Sequence, residues 1–147
     1  MRILLQKVSK ASVTVDGNIT GTIEEGYLLF LGVMEGDTKM QAEALARKIC
    51  ALRLFPGEDG KINDRSLLDV QGSALVVSQF TLAGRTEKGN RPDYTRAAAP
   101  KEAEHLYDFF IELLREADIG NVATGVFGGQ MRVELVNEGP VTLMLER

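Results

Sequence analysis

The chain has 147 residues, 44% of them hydrophobic and 26% charged, and a formal net charge of −4. This length and composition predict one globular domain over residues 1–147, and the acidic balance disfavours a general nucleic-acid-binding surface, because such surfaces are usually basic. No apolar run approaches the ~20 residues of a membrane span, the first residues lack a signal-peptide layout, and the single cysteine, Cys50, cannot form an internal disulfide, so we expect a cytoplasmic protein without a membrane partner.

The N-terminal third has the patterns of β-strands. "RILLQKVS" is largely apolar, and "ASVTVD" alternates Val13 and Val15 with polar neighbours. Asp16-Gly17-Asn18 is a strong hairpin signal, because Gly and Asn accept the positive φ of tight turns. "ITGTIE" then returns as a second strand, and "GYLLFLGV" is apolar enough for a strand that is covered on both faces.

A first helix is predicted after these strands. Thr38, followed three residues later by Gln41, resembles a capping box, and the apolar residues beyond them recur at helical spacing. The helix should end near Phe55, because Pro56-Gly57 follows. Residues 57–72 contain several turn signals and are predicted to form a loop.

The rest of the chain adds a strand, a second helix and two final strands. "SALVVSQFTL", residues 73–82, has the β-branched centre of a deeply buried strand. Pro100 opens a helix whose Leu and Phe residues recur at i, i+3, i+4 and i+7, and this helix should stop by Gly120. Two strands separated by Gly139-Pro140 finish the chain, because proline removes a ladder donor. The order of elements predicts an α+β fold, a mainly antiparallel sheet or barrel with two packed helices.

The residue types most often used for catalysis are scarce. His105 is the only histidine and lies within the second predicted helix, and Cys50 lies within the first, where a packed thiol is expected. A His/Cys zinc site and a Ser-His-Asp triad therefore have no support, and we expect no metal or cofactor. "GVFGGQ" is rich in glycine but fits no nucleotide-phosphate motif.

Two polar stretches remain. "SQFTL", Ser78 to Leu82, places hydroxyl and amide groups at the end of the buried strand, where they either cap the strand or orient hydrogen-bond donors around an oxyanion or a water. "NEGPVT", around Gly139-Pro140, is either a simple loop or a tight turn with a cis proline, which would leave two carbonyl groups available to a ligand or a partner.

The charge of the chain is unevenly distributed. The segment 85–101 holds five cations against two anions, a local balance of +3 within a chain of −4. This segment is either a solvated loop or a surface that faces phosphate groups. Its cations are Arg85, Lys88, Arg91, Arg96 and Lys101.

Together these stretches resemble the D-aminoacyl-tRNA deacylase (DTD) family, and the resemblance covers essentially the whole chain. It is carried by "ASVTVDG", "GYLLFLGV", "VVSQFTL", "KGNRPDYT", "ATGVFGGQM" and "VNEGPVTL", and the combination of "SQFT" with "GPVT" is its most specific part. The resemblance implies a homodimer with its active sites at the subunit interface. It also implies hydrolysis of the ester that joins a D-amino acid, or glycine, to the 3′-terminal adenosine of tRNA.

The resemblance further implies roles for particular residues. Those expected to line the pocket and hold the ester are Ser78, Gln79, Phe80 and Thr81. Gly139 and Pro140 would form a Gly-cis-Pro element, inserted from the partner chain, whose carbonyl groups exclude L substrates. The residues expected to support this site are Lys7, Met131 and Asn137. The expected tRNA contacts are Arg85, Lys88 and Arg91.

Several alternatives stay open at the level of sequence. Lys7 stands where the family often has Arg, and lysine lacks the planar fork that can grip two carbonyl groups. The ribose 2′-hydroxyl is expected to assist a water, and Thr81 as a nucleophile is an alternative that lacks a neighbouring base. One other candidate function is an L-alanyl-tRNA deacylase with a trans Gly-Pro bond. Another is a non-catalytic nucleic-acid-binding module or an editing-domain relative that has lost activity.

Overall fold

Eight strands, two α-helices and one short 3₁₀ helix make up the computed structural model, which describes all residues from 1 to 147. Neither α-helix is both long and apolar enough to cross a membrane. In chain order the elements are β1 Arg2–Val15, β2 Asn18–Ile23, β3 Gly26–Gly32, α1 Lys39–Ala51, β4 Arg53–Phe55, β5 Arg65–Ser66, β6 Ser73–Ser78, the 3₁₀ helix Phe80–Ala83, α2 Pro100–Glu116, β7 Val122–Thr124 and β8 Met131–Glu146.

Strand β1, which pairs with neighbours along both of its edges, organises the main sheet. On one edge its first half pairs with β3 and its second half with β2, and on the other edge it pairs with β8, all antiparallel. Beyond β3 the sheet continues through β6 and β7 in parallel pairing. β7 then approaches β2 so closely that a Cβ on Gly21 would lie 2.4 Å from the Thr124 carbonyl oxygen. The predicted α+β fold, a mainly antiparallel and nearly closed barrel with two helices, is confirmed.

The sheet separates two apolar cores. α1 and α2 pack on one face, where Tyr27, Leu29 and Leu31 of β3 join their buried residues. The opposite face of β3 carries Leu28 into the second core, inside the barrel. This alternation confirms that β3 is covered on both faces.

Two local predictions from sequence are confirmed. The hairpin between β1 and β2 has positive φ at Asp16 (48°) and Gly17 (80°), as a two-residue primed turn requires, while Asn18 is already the first residue of β2. The capping box at the start of α1 is also present, with the Thr38 N–H donating to the Gln41 side-chain oxygen over 2.9 Å.

The predicted end of the first helix near Phe55 is wrong. α1 ends at Ala51, because Leu52 takes an extended conformation. Arg53 then pairs with Ser66, so a small two-stranded sheet forms where the sequence predicted helix followed by loop 57–72. Burial of Phe55 against Tyr27, with ring centroids 5.2 Å apart, favours this short strand over another helical turn.

The predicted strand 73–82 is shorter than expected, because the chain leaves the sheet after Ser78. The Gln79 N–H still donates to the Leu31 carbonyl over 2.8 Å, and the 3₁₀ helix follows directly. Gly32 at the end of β3 permits this close approach. A Cβ at that position would lie 2.9 Å from the Gln79 carbonyl oxygen and 3.0 Å from the Leu82 Cβ.

The last strand, β8, is continuous, whereas the sequence predicted two strands separated by Gly139-Pro140, whose peptide bond is cis. The long partner β1 pairs with β8 on both sides of the interruption. The two-strand prediction is therefore wrong, because a bulge within one strand does not end its pairing with a neighbour that continues past it.

A local bulge accommodates the Gly-Pro pair. Gln6 and Val8 of β1 pair with Thr142 and Asn137 of β8, so the four residues 138–141 stand opposite a single residue of β1. This segment, called the 138–141 bulge below, makes the missing N–H of proline harmless, because no ladder bond passes through it.

Replacing Gly32 with Ala should lower the free energy of unfolding and displace the 3₁₀ helix, because the new Cβ meets the Gln79 backbone. Overpacking of this kind typically costs about 1–3 kcal/mol. Denaturant unfolding measures the change. Gly139→Ala is the matched control, because its Cβ would meet no atom within 4 Å and should change the stability by less than about 0.5 kcal/mol. Equal stability of the two variants would contradict this account of Gly32.

Candidate active site

A cavity of about 670 Å³ opens where β6 ends, between the sheet and the start of α2. Its wall is mainly apolar, and its polar side chains gather at the point where the chain leaves β6. The lining residues are Leu31, Val33, Val77, Ser78, Gln79, Phe80, Tyr94, Ala97, Ala98, Ala99, Pro100, Ala103, Tyr107, Phe127, Gly128, Gly129, Met131 and Val133. A mostly apolar cavity with a few convergent polar groups is typical of a small-molecule or cofactor site.

Three of the four predicted pocket residues line this cavity. Ser78 and Gln79 are half-buried, and Phe80 lies at the mouth with 59% of its surface exposed. Thr81 is exposed and does not line the cavity; its hydroxyl accepts a hydrogen bond from the Gln79 side-chain amide. The structure thus joins the four residues in one turn and sets Thr81 at the rim.

The 3₁₀ helix presents hydrogen-bond donors beside the cavity. The first N–H groups of any helix lack an intrahelical acceptor, and here no side chain caps the start of the helix. The N–H groups of Phe80 and Thr81 therefore lack an intrahelical acceptor, and Phe80 lines the cavity beside Ser78 and Gln79. The lining contains no Asp, Glu or His, so the site offers oriented donors without a side-chain base of those types.

The deep wall of the cavity is built by aromatic residues that sequence reasoning did not single out. The Tyr107 hydroxyl donates to the Val76 carbonyl over 2.9 Å, and its ring lies 5.6 Å from that of Phe127. Burial raises the pKa of Tyr107 above its usual value, so the phenol stays neutral at physiological pH. Tyr107 follows Leu106 on the buried face of α2. Its position in the helix was the signal from which its burial could have been predicted.

The "GVFGGQ" segment also belongs to the site, although it fits no phosphate motif. Phe127, Gly128 and Gly129 line the cavity, and Met131 continues its wall at the start of β8. Met131 is thus placed beside the predicted pocket residues. The contribution of this segment is apolar surface rather than a phosphate-binding loop.

The segment 85–101, called the basic loop below, folds back on itself near the cavity mouth. Arg85 and Asp93 exchange both backbone hydrogen bonds at 2.9 Å, and the Tyr94 ring packs edge-on against Phe80 at 5.2 Å. Hydrogen bonds from Thr95, with the nearby Arg85 charge, hold the pKa of Asp93 below its usual value. This loop is therefore anchored by its own contacts next to the site.

The predicted tRNA contacts lie on this loop. Arg85, Lys88 and Arg91 are all exposed. Arg85 is 3.6 Å from the Glu87 carboxylate, a weak pair at an exposed position, while Lys88 and Arg91 have no carboxylate within ion-pair distance. All three cations are available to an external anion.

The 138–141 bulge is not part of the cavity wall of its own chain. Residues 138–140 are exposed, and no residue from 137 to 141 lines the cavity. Lys7, opposite the bulge, points its ammonium group at the Phe55 ring, 4.8 Å from the centroid. The Asn137 side chain instead spans the base of the bulge. One chain therefore does not bring the two predicted halves of the site together.

The residues set aside during sequence analysis remain outside the cavity. Cys50 is buried in the helix-side core, where desolvation raises the pKa of its thiol. His105 is exposed on α2. No group of three His, Cys, Asp or Glu residues lies close enough together to hold a metal ion.

Comparison of sequences places the chain in a known family. A family profile described as D-Tyr-tRNA(Tyr) deacylase matches residues 4–146. A D-aminoacyl-tRNA deacylase of Thermomicrobium roseum is 56% identical over 146 residues, covering 99% of this chain and 94% of its own length. Proteins with the same name from Fervidobacterium nodosum and Bacillus thuringiensis are each 51% identical over 146 residues, covering 99% of this chain and 97% and 99% of theirs.

Comparison of structures finds the same fold in solved proteins. A structure named c-Myc DNA Unwinding Element Binding Protein is 40% identical with a TM-score of 0.92, and the match covers 100% of this chain and 99% of that one. A second, titled as a "probable eukaryotic D-amino acid tRNA deacylase", has a TM-score of 0.83 at 19% identity over 98% and 97% of the two chains, and shows the shared fold. By its sequence over nearly its whole length, the chain belongs to the D-aminoacyl-tRNA deacylase family.

Proposed function

We propose that this protein hydrolyses the ester of D-aminoacyl-tRNA, and of glycine mischarged on tRNA, to release free tRNA and free amino acid. The observation that carries the proposal is the apolar cavity with Ser78 and Gln79 at its polar end, in a chain that is 51–56% identical to proteins named for this activity. Aminoacyl-tRNA is a cytoplasmic substrate, so the proposed compartment is the cytoplasm.

The cavity suits the 3′-terminal adenosine of tRNA. A purine ring is flat and largely apolar on its faces. The cavity wall formed by Tyr107, Phe127 and Met131 offers it an apolar surface. With the base held there, the ester reaches the polar end of the cavity. Water adds to the ester carbonyl, and the bond from the carbonyl carbon to the 3′-oxygen breaks. The 3′-oxygen takes a proton from the attacking water, so the products are a free acid and a free 3′-hydroxyl.

Catalysis in this proposal works by positioning. The N–H groups of Phe80 and Thr81 stabilise negative charge as it develops on the carbonyl oxygen, and Gln79 with Ser78 orients the ester. The cavity wall lacks a carboxylate or imidazole base, so the ribose 2′-hydroxyl of the substrate is the group we assign to assist the attacking water. The same lack of a base argues against Thr81 as the nucleophile.

The rejection of L substrates is assigned to a second copy of the chain. The 138–141 bulge is exposed and lies apart from its own cavity, which suits insertion into the cavity of a partner. Exposed apolar side chains flank the bulge on β8, and a homodimer interface would cover them. They are Val136 (45% exposed), Leu143 (38%) and Met144 (56%).

The chiral selection follows from the geometry of that insertion. Carbonyl groups of Gly139 and Pro140, aimed at the α-carbon, would meet an L side chain, whereas hydrogen or a D side chain would point away. Glycine lacks a side chain and passes the same filter. Discrimination then depends on what the site excludes, and the chemistry depends on the polar turn at residues 78–81.

Direct ester hydrolysis tests the proposed activity. Incubation with D-Tyr-tRNA, L-Tyr-tRNA, L-Ala-tRNA and Gly-tRNA should release the D-tyrosine and glycine and leave the L esters intact. Hydrolysis of L-Ala-tRNA alone would identify the L-alanyl-tRNA deacylase alternative. Loss of no ester would overturn the enzyme assignment.

A nucleic-acid-binding module is the second candidate, because one structural relative is named for binding a DNA unwinding element. The net charge of −4 disfavours a broad DNA-binding surface. Binding of double-stranded DNA at physiological salt, by a chain that hydrolyses none of the four esters, is the result that would favour this candidate.

Replacing Gly139 with Ala should reduce hydrolysis of D-Tyr-tRNA roughly 10- to 100-fold, because a methyl group would crowd the partner's site and misplace the reacting groups. Its Cβ meets nothing within 4 Å in its own chain, so the unfolding midpoint should stay unchanged. Full activity in this variant would remove the bulge from the active site.

Mixed dimers locate the two halves of the site. Ser78→Ala and Gly139→Ala chains, each strongly impaired alone, should together reach about a quarter of the wild-type activity when mixed equally, because half of the dimers then hold one intact site of two. The measurement is the initial rate after subunit exchange. Failure to regain activity would place both residues in the site of one chain.

Neutralising the exposed cations of the basic loop should weaken tRNA binding and flatten its salt dependence. Each lost phosphate contact removes about 0.7–0.9 from the slope of log K against log salt, so Arg85→Gln, Lys88→Gln and Arg91→Gln together should reduce it by about 2–3. Titration at several salt concentrations measures the slope. An unchanged slope would exclude these residues as tRNA contacts.

The control for this experiment carries the same loss of charge elsewhere. Arg47, Lys48 and Arg115 are exposed cations on the two helices, outside the basic loop. Their replacement by Gln should leave the salt slope within error of the wild type. An equal effect of both triple variants would indicate a response to net charge alone.

A further inference from the structure

The base of the 138–141 bulge is closed by one side-chain amide. The Asn137 Nδ2 group donates to the Lys7 carbonyl over 2.8 Å and to the Val141 carbonyl over 3.1 Å. An amide nitrogen has two N–H groups, and both are used here. Asn137 thus ties the two ends of the bulge to each other and to β1.

The bond to Lys7 replaces a missing ladder bond. Gln6 and Val8 have partners on β8, but Lys7 between them has none. A strand carbonyl inside a sheet needs a hydrogen-bond donor, and folded proteins nearly always provide one. The side chain of Asn137 supplies the donor that the looped-out backbone of β8 does not.

The anchoring carbonyl belongs to a residue that is itself fixed. Lys7 pairs with Tyr27 on the β3 side of β1, and its ammonium group lies 4.8 Å from the centroid of the Phe55 ring. Phe55 is buried and stacks on Tyr27. Lys7 therefore anchors the bulge through its backbone carbonyl.

The other side-chain hydrogen bonds near the bulge are weak. Thr142 Oγ1 lies 3.3 Å from Gln6 Nε2 and 3.5 Å from Asn137 Oδ1, which is a weaker arrangement than the two amide bonds. No other side-chain hydrogen bond or ion pair reaches residues 138–141. Val141, the last residue of the bulge, also packs against the helix-side core, whereas residues 138–140 are exposed. Asn137 therefore supplies the side-chain hydrogen bonds that orient this exposed tip.

We propose that Asn137 is the positioning residue that sets the chiral selectivity of the site by fixing the direction of the 138–141 bulge. This inference rests on the proposed function, in which the bulge excludes L substrates. Asn137 acts through the backbone on either side of the tip. Loosening its hold therefore admits L esters while the polar turn at residues 78–81 continues to hydrolyse D esters.

The variant Asn137→Asp tests this role, because it keeps the size of the side chain and removes both N–H donors. The ratio of L-Tyr-tRNA to D-Tyr-tRNA hydrolysis should rise about tenfold or more, since small displacements at a reacting centre have effects of that order. Asn137→Ala should shift the ratio in the same direction. Thr142→Val, which removes only the weaker contact, should stay within about twofold of the wild type.

A merely structural role for Asn137 would give a different result. D and L hydrolysis would then fall together, in parallel with the unfolding midpoint, and the ratio would stay constant; either variant showing this overturns the inference. The wild-type protein in the same assay separates the two levels of proposal. If the wild type and the Asn137 variants all hydrolyse D-Tyr-tRNA and spare L-Tyr-tRNA, only the role of Asn137 is overturned. If the wild type hydrolyses neither ester, the proposed function is overturned as well.

Discussion

The antiparallel pairing of β1 with β8, interrupted opposite Lys7, is the constraint on which much of the molecule depends. It continues on both sides of the interruption, so the two halves of β8 stay in register while four residues are pushed out of the sheet. The same stretch of β1 also passes between the two cores, because Leu5 faces the helices and Val8 faces the barrel interior. The bulge thus lies where β1 passes from one core to the other, and Asn137 holds its base to the Lys7 carbonyl.

A second constraint acts at the end of β6. Gly32 lets the chain turn closely over the end of β3, and the turn becomes a 3₁₀ helix whose first N–H groups have no intrahelical acceptor. The aromatic wall from α2 and the glycine-rich segment before β8 complete an apolar cavity beside these donors. The proposed mechanism uses this site to hold a flat ring and to stabilise developing negative charge without a carboxylate or an imidazole. In the proposed mechanism, chemistry and selectivity are therefore carried by different elements, and a second copy of the chain would bring them together.

Particular residues show how far sequence reasoning reached. The hairpin at Asp16-Gly17, the capping box at Thr38 and the start of α2 at Pro100 were predicted because each depends on local backbone preferences. The end of α1 was misplaced, because burial of Phe55 against Tyr27 overrode the local pattern. The aromatic wall was missed for the same reason, since the position of Tyr107 opposite Phe127 depends on how α2 packs over the sheet.

The sequence by itself determined the fold class, the polar stretch at the end of the buried strand and the family, because these depend on periodicity and on motifs that are continuous in the chain. Only the tertiary structure decided that β8 is one strand with a bulge, since that depends on the register of β8 against β1. The hydrogen bond that closes the bulge joins Asn137 to Lys7, 130 residues earlier in the chain. It also decided that the bulge stands apart from the cavity of its own chain. The separation of Ser78 from Gly139 is a property of packing, and no spacing in the sequence contains it.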